Sequence, residues 1–314
     1  MEETKYTEET IVNNPAPRSG SNPIPLAILV AGVLIAGAMW FRGTGGVGQL
    51  QATGDKEVNS QVLAFEESII PSEGVVLPAT WGDLGAKLVS VGAIDVEKLK
   101  TTYDQRGALP EGFNKLLLEQ NNGKLKITRE NSAYLLNLLW ALGLASDNSI
   151  LESGEMSDPK YGGAQNFTST AGWTIAQGNP MDHYSKHRFF NLTPEQQALV
   201  DKVSRGIFRP CCGNSTHFPD CNHGMAMLGL LELMASQGVS EEDMYKAALA
   251  VNSYWFPDTY RTIATYMKNK GIAWANVSPS EVLGAQYSSG TGYAKIKAQV
   301  TQPQQQQGGG GCSV

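Results

Sequence analysis

The sequence predicts an all-α protein, with one N-terminal transmembrane helix followed by a compact multi-helix domain carrying a Cys/His-rich loop. Three observations lead there. Helix start and stop signals recur between residues 61 and 300, while strand signals are scarce. Ile24 to Phe41 reads IPLAILVAGVLIAGAMWF without a single charge. Between Met181 and Gly224 lie all four histidines and three of the four cysteines.

Taken in order, residues 1–23 form a polar, acidic tail ahead of the apolar stretch. About twenty apolar residues cross a ~30 Å hydrocarbon core, so residues 24–41 are expected to span a membrane, with Trp40 and Phe41 at the interface. A cleaved signal peptide fits less well, because no basic n-region precedes the stretch and no A-x-A site follows it. Lys5 and Arg18 nearly balance Arg42 and Lys56. The short tail and large following domain then favour an N-inside anchor, placing the domain outside the cytoplasm. The membrane is thus an expected partner. Nucleic acid is not, since the net charge is −6 and no Lys/Arg block occurs.

Residues 42–60 are Gly-rich and polar, and read as a flexible linker. Thr80 with Asp83 resembles a capping box ahead of a helix to about Val91, stopped by Gly92. Asp95 is placed to cap a helix through Tyr103. Asn131 precedes SAYLLNLLWALGLA, apolar on nearly every side and so expected at the centre of the core. Thr193-Pro194-Glu195 opens a helix to about Ser204. Further helices are expected over Gly224–Ser236, from Ser240 to about Tyr254, over Asp258–Lys270, and briefly after Ser278-Pro279. A short hairpin near Leu125–Ile127 is compatible with the pattern. Residues 151–182 show no helical period, and so long an irregular segment is either a wall over a site or a plain surface loop. Residues 301–314 are a Gln/Gly tail too polar to fold, ending near an exposed Cys312.

The chemistry concentrates in Pro210-Cys-Cys-Gly-Asn-Ser-Thr-His-Phe-Pro-Asp-Cys-Asn-His-Gly224. Its prolines and glycines force turns, which let successive side chains point inward together. Cys211, Cys212, Cys221 and His223 offer a Cys₃His donor set without zinc-finger spacing. His217 lies within the same loop. His183 and His187 stand at i, i+4 and would share a face if helical. Soft thiolates favour Cu(I), with Zn(II) next, at one ion per chain. Two alternatives stay open: a disulfide from Cys221 to Cys211 or Cys212 that staples the turn, and a thiol activated by His217 or His223. Met225 and Met227 follow directly, and fit helix core better than thioether ligation.

Pro210-Cys, Cys-Gly, then His217-x-x-Asp220-Cys221-x-His223-Gly224, and a following helix with Gly238-x-Ser240-x-Glu242, resemble the bacterial PCYCGC-motif proteins over about residues 205–255. The resemblance implies an extracytoplasmic, membrane-attached helical domain that binds a metal, copper foremost. The chain departs from that pattern in having Cys-Cys-Gly where the family has Cys-Tyr-Cys-Gly-Cys. Met227 and Leu231 stand where the family carries later cysteines. The expectation for function is therefore metal capture, delivery or storage at a membrane, with a stapled interaction domain or a metal- or thiol-dependent enzyme as alternatives.

Overall fold

The computed structural model describes residues 48–104 and 112–300. The tail 1–23, the apolar stretch 24–41, the start of the linker, and residues 301–314 with Cys312 lie outside the described residues. Among the described residues no helix is long and apolar enough to cross a membrane. The chain divides into two compact units at Glu57/Val58. Only the start of a helix is described in the first. The second is mostly helical.

Where the linker was expected, helix α1 covers Gly48–Ile69. Its C-terminal part belongs to the second unit, where Arg261 Nε reaches Glu66 Oε2 at 2.7 Å. A strand pair follows, of which the second strand lies where a short hairpin was compatible with the pattern and the first was not expected. Strand β1 (Val75–Gly82) runs antiparallel to β2 (Asn122–Ile127), pairing Val75 with Ile127 and Gly82 with Asn122. The sequence signal was the alternation Leu77, Ala79, Trp81, all buried, which is strand period. The register slips between Val76 and Thr80, around Pro78, where no N–H is available to the ladder. Thr80 is thus strand and not a cap. The helix after it, α2 (Leu84–Ser90), starts at Asp83 without a side-chain cap.

Other boundaries follow local chemistry. Helix α3 (Val96–Asp104) opens on Asp95, whose Oδ1 accepts from the amides of Glu97 and Lys98. Helix α4 (Phe113–Leu118) precedes β2. Helix α5 (Ser132–Ala145) is buried without a break from Asn137 to its end, as its apolar surface on every side requires. Asn131 does not cap it, because its side chain bonds Thr128 and Lys126 instead. Helix α6 is Ser149–Ser153 and α7 is Thr168–Ala171, with single 3₁₀ turns between and after them. Helix α8 (Pro194–Gly206) carries a full capping box between Thr193 and Gln196. Helix α9 (Asn222–Ser236) leads through Gly238, at φ +72°, to α10 (Glu241–Trp255), capped by Ser240. Helix α11 is Pro257–Asn269. Three short helices close the domain: α12 (Pro279–Val282), α13 (Ala285–Ser288) and α14 (Gly290–Lys297).

The core is built on α5 and α9. They touch backbone to backbone at Gly143 and Gly229, where a Cβ on Gly229 would lie 2.6 Å from Gly143 N. This contact leaves room for nothing larger than hydrogen. It aims the N-terminus of α9, and the cysteine loop before it, at the end of α10.

Candidate metal centre

The loop from Ile207 to Cys221 is closed at its base. Phe208 and Ser215 form an antiparallel bridge, and Thr216 N donates to Ile207 O at 2.7 Å. Phe208 N donates to Leu283 O, and Gly290 N to Cys212 O at 2.8 Å, so α12 and the start of α14 brace the loop from outside. Ser169 N donates to Asp220 O from the other side. Cys221 is the N-cap of α9, and Met225 N donates to its carbonyl. His223 is the second residue of α9, nearly buried, its ring 4.4 Å from that of Phe256 and 5.6 Å from that of Trp255, centroid to centroid.

This frame brings the donors together. Cys211 Sγ lies 3.7 Å from Cys221 Sγ. Two sulfurs each about 2.3 Å from one tetrahedral ion are roughly 3.8 Å apart. The donor atoms of Cys211, Cys221 and His223 lie within 4.8 Å of one another. So do those of Cys212, Asp220 and Cys221, with Cys212 Sγ 4.0 Å from Asp220 Oδ1. All three described cysteines are free. The groups are close enough to hold a metal ion.

Beneath the sulfurs lies Arg209, fully buried, a residue the sequence reading passed over. Its Nη2 donates to Asp220 Oδ1 at 2.6 Å and to Phe218 O at 3.2 Å, while Nε and Nη1 have no hydrogen-bond partner. Gly224 is required against it, since a Cβ there would fall 2.7 Å from the guanidinium carbon. Burial works against the guanidinium charge, but Cys221, Cys212, Asp220 and Cys211 outweigh it and hold the Arg209 pKa above its ordinary value. Hydrogen bonds from Cys211 and Cys212, with Arg209 and His223 adding, pull the Cys221 thiol well down despite burial. Cys211 is pushed up by its bonds to Cys212 and Cys221 and by burial. Of the three thiols, Cys221 is thus the one most readily held as a thiolate, at the positive end of α9. Burial raises the Asp220 carboxyl, with Arg209 opposing.

The remaining histidines are placed elsewhere. His217 Nδ1 meets Glu155 Oε2 at 2.5 Å, and its Nε2 faces Asp201 Oδ1 at 2.8 Å and Arg205 Nη2 at 2.7 Å. Both ring nitrogens are thus occupied, and the residue locks α8 to the 155–157 turn. His183 and His187 meet each other, Nδ1 to Nε2 at 3.1 Å, across a turn and not along a helix. His183 Nε2 donates to Gln177 O. Burial, and then His183, lower the pKa of His187. None of the three belongs to a group of three metal-capable donors among the described residues. Met225 and Met227 are fully buried core residues of α9.

Of the segment 151–182, residues 155–169 form a wall of the loop, while 173–177 pack on the turn between α2 and α3. Glu155 holds His217, and Tyr161 and Phe167 pack on Phe218 with centroids 5.4 Å away. Trp140 Nε1 donates to Ser169 O, pinning this wall to α5.

No protein-family model, curated protein or solved structure matches this chain.

Proposed function

We propose that this protein binds a transition metal, Cu foremost and Zn next, through Cys211, Cys221 and His223, with Cys212 and Asp220 adjoining them. Its role is metal capture, delivery or storage on the outer side of a membrane, to which residues 24–41 attach it. The observation that carries the reading is the 3.7 Å separation of two free thiols with an imidazole inside the same 4.8 Å group. That spacing suits two thiolates on one soft ion, and is far from the ~2.05 Å of a disulfide. The membrane attachment rests on the uncharged run Ile24–Phe41.

Full-length protein purified in detergent under reducing, metal-replete conditions should retain at least one equivalent of Cu or Zn by elemental analysis. Cys221→Ser should lose it. Metal-free wild-type protein would refute the reading. A Cys221 cross-link in a non-reducing digest of native protein would favour the staple in its place.

A further inference from the structure

The two donor groups are not separate. Cys211, Cys221 and His223 form one, Cys212, Asp220 and Cys221 the other, and Cys221 belongs to both. A thiolate sulfur has more than one lone pair, so a single sulfur can bind two soft ions at once. We propose that the loop holds two Cu(I) ions bridged by Cys221 Sγ. The first is held by Cys211 and His223 and the second by Cys212, with Asp220 at its side. The inference rests on the metal-binding reading above.

The donors divide unevenly in a way that fits this. Cys211, Cys221 and His223 make a complete three-coordinate set, which suits Cu(I). Cys212 and Cys221 supply two thiolates, enough for a two-coordinate Cu(I) ion. Asp220 is already held by Arg209 at 2.6 Å and by Asn214 Nδ2 at 2.8 Å, so it lies beside the second ion as a fixed, weakly donating carboxylate.

Charge does not oppose it. Two thiols ionise as the first Cu(I) binds and the third as the second binds, so with the Asp220 carboxylate and the buried Arg209 guanidinium the loop carries minus one at either loading, and the second ion adds no net charge to this partly buried place. The transfer is balanced: each thiol gives up one proton as Cu(I) binds, and no redox step is involved.

Anaerobic titration of reduced full-length protein with Cu(I), in competition with a chromophoric Cu(I) chelator, tests this. Two equivalents are expected. At that loading, X-ray absorption should register a copper neighbour roughly 3 Å from each copper, the separation set by two metal–sulfur bonds of about 2.3 Å meeting at one sulfur. Cys212→Ser should keep one equivalent and lose the copper–copper signal. His187→Gln should keep both, showing that the second ion is not on the histidine pair. One equivalent in wild type, two without a copper–copper signal, or loss of the second in His187→Gln each overturns the bridged pair while leaving metal binding intact. Zero equivalents overturns both.

Discussion

Glu232 is a fully buried carboxyl on α9, bonded by Asn148 Nδ2 at 2.6 Å. Burial pushes its pKa up to about 8, with hydrogen bonds from Ser146 and Asn148 opposing. An acid raised in the folded state binds its proton more tightly there than in the unfolded chain. Stability contributed by the neutral form is therefore complete below pH ~4.5 and falls as pH rises toward 8, on the order of 5 kcal/mol across that window. Glu232→Gln should flatten the decline, measured as urea midpoints at pH 5 and pH 8. An equal decline in the variant would contradict it. Among the loop residues, the donor types were legible from composition alone, since Cys and His are rare elsewhere in the chain. Arg209 was not legible. An arginine between Phe208 and Pro210 carries no local mark of burial, which is set by its ion pair with Asp220 and the close approach of Gly224.

At the scale of elements, α5 and α9 depend on Gly143 and Gly229. In an open helix, Gly→Ala gains about 1 kcal/mol. At Gly229 the added Cβ would fall 2.7 Å from Leu139 O and 2.6 Å from Gly143 N, both backbone atoms that cannot swing aside. Overpacking of about 1–3 kcal/mol, at its upper end against backbone, outweighs the propensity gain. Gly229→Ala should lower stability by roughly 1–2 kcal/mol in urea unfolding, and a stabilised variant would refute the close crossing. Helices with local start signals, at Asp95, Thr193 and Ser240, were legible because a cap acts within one turn. Strand β1 was misread because Thr80 and Asp83 have cap-like spacing. What made the segment a strand was the burial of Leu77, Ala79 and Trp81 against a distant partner.

For the molecule as a whole, the loop is braced by α8, α9, α12, α14 and the 155–169 wall, so an ion bound in it is linked to folding of the entire domain. Metal at about 100 times its Kd should add roughly 2.7 kcal/mol, raising Tm by roughly 5–10 °C for a domain of this size. Scanning calorimetry of reduced protein with and without a soft-metal chelator measures this, and an unchanged Tm at saturating metal would count against a site in the fold. The sequence by itself determined the donor inventory, the helical character and most helix starts, because caps, periodicity and composition act over a few residues. Which donors meet was decided only by tertiary structure. Cys211, Cys221 and His223 converge, Asp220 joins Cys212, and His217 turns away to Glu155 and Asp201. Those distances depend on how α5 crosses α9 and how α10 and α14 close over the loop, and such packing between segments far apart in the chain leaves no imprint at the spacing of neighbouring residues.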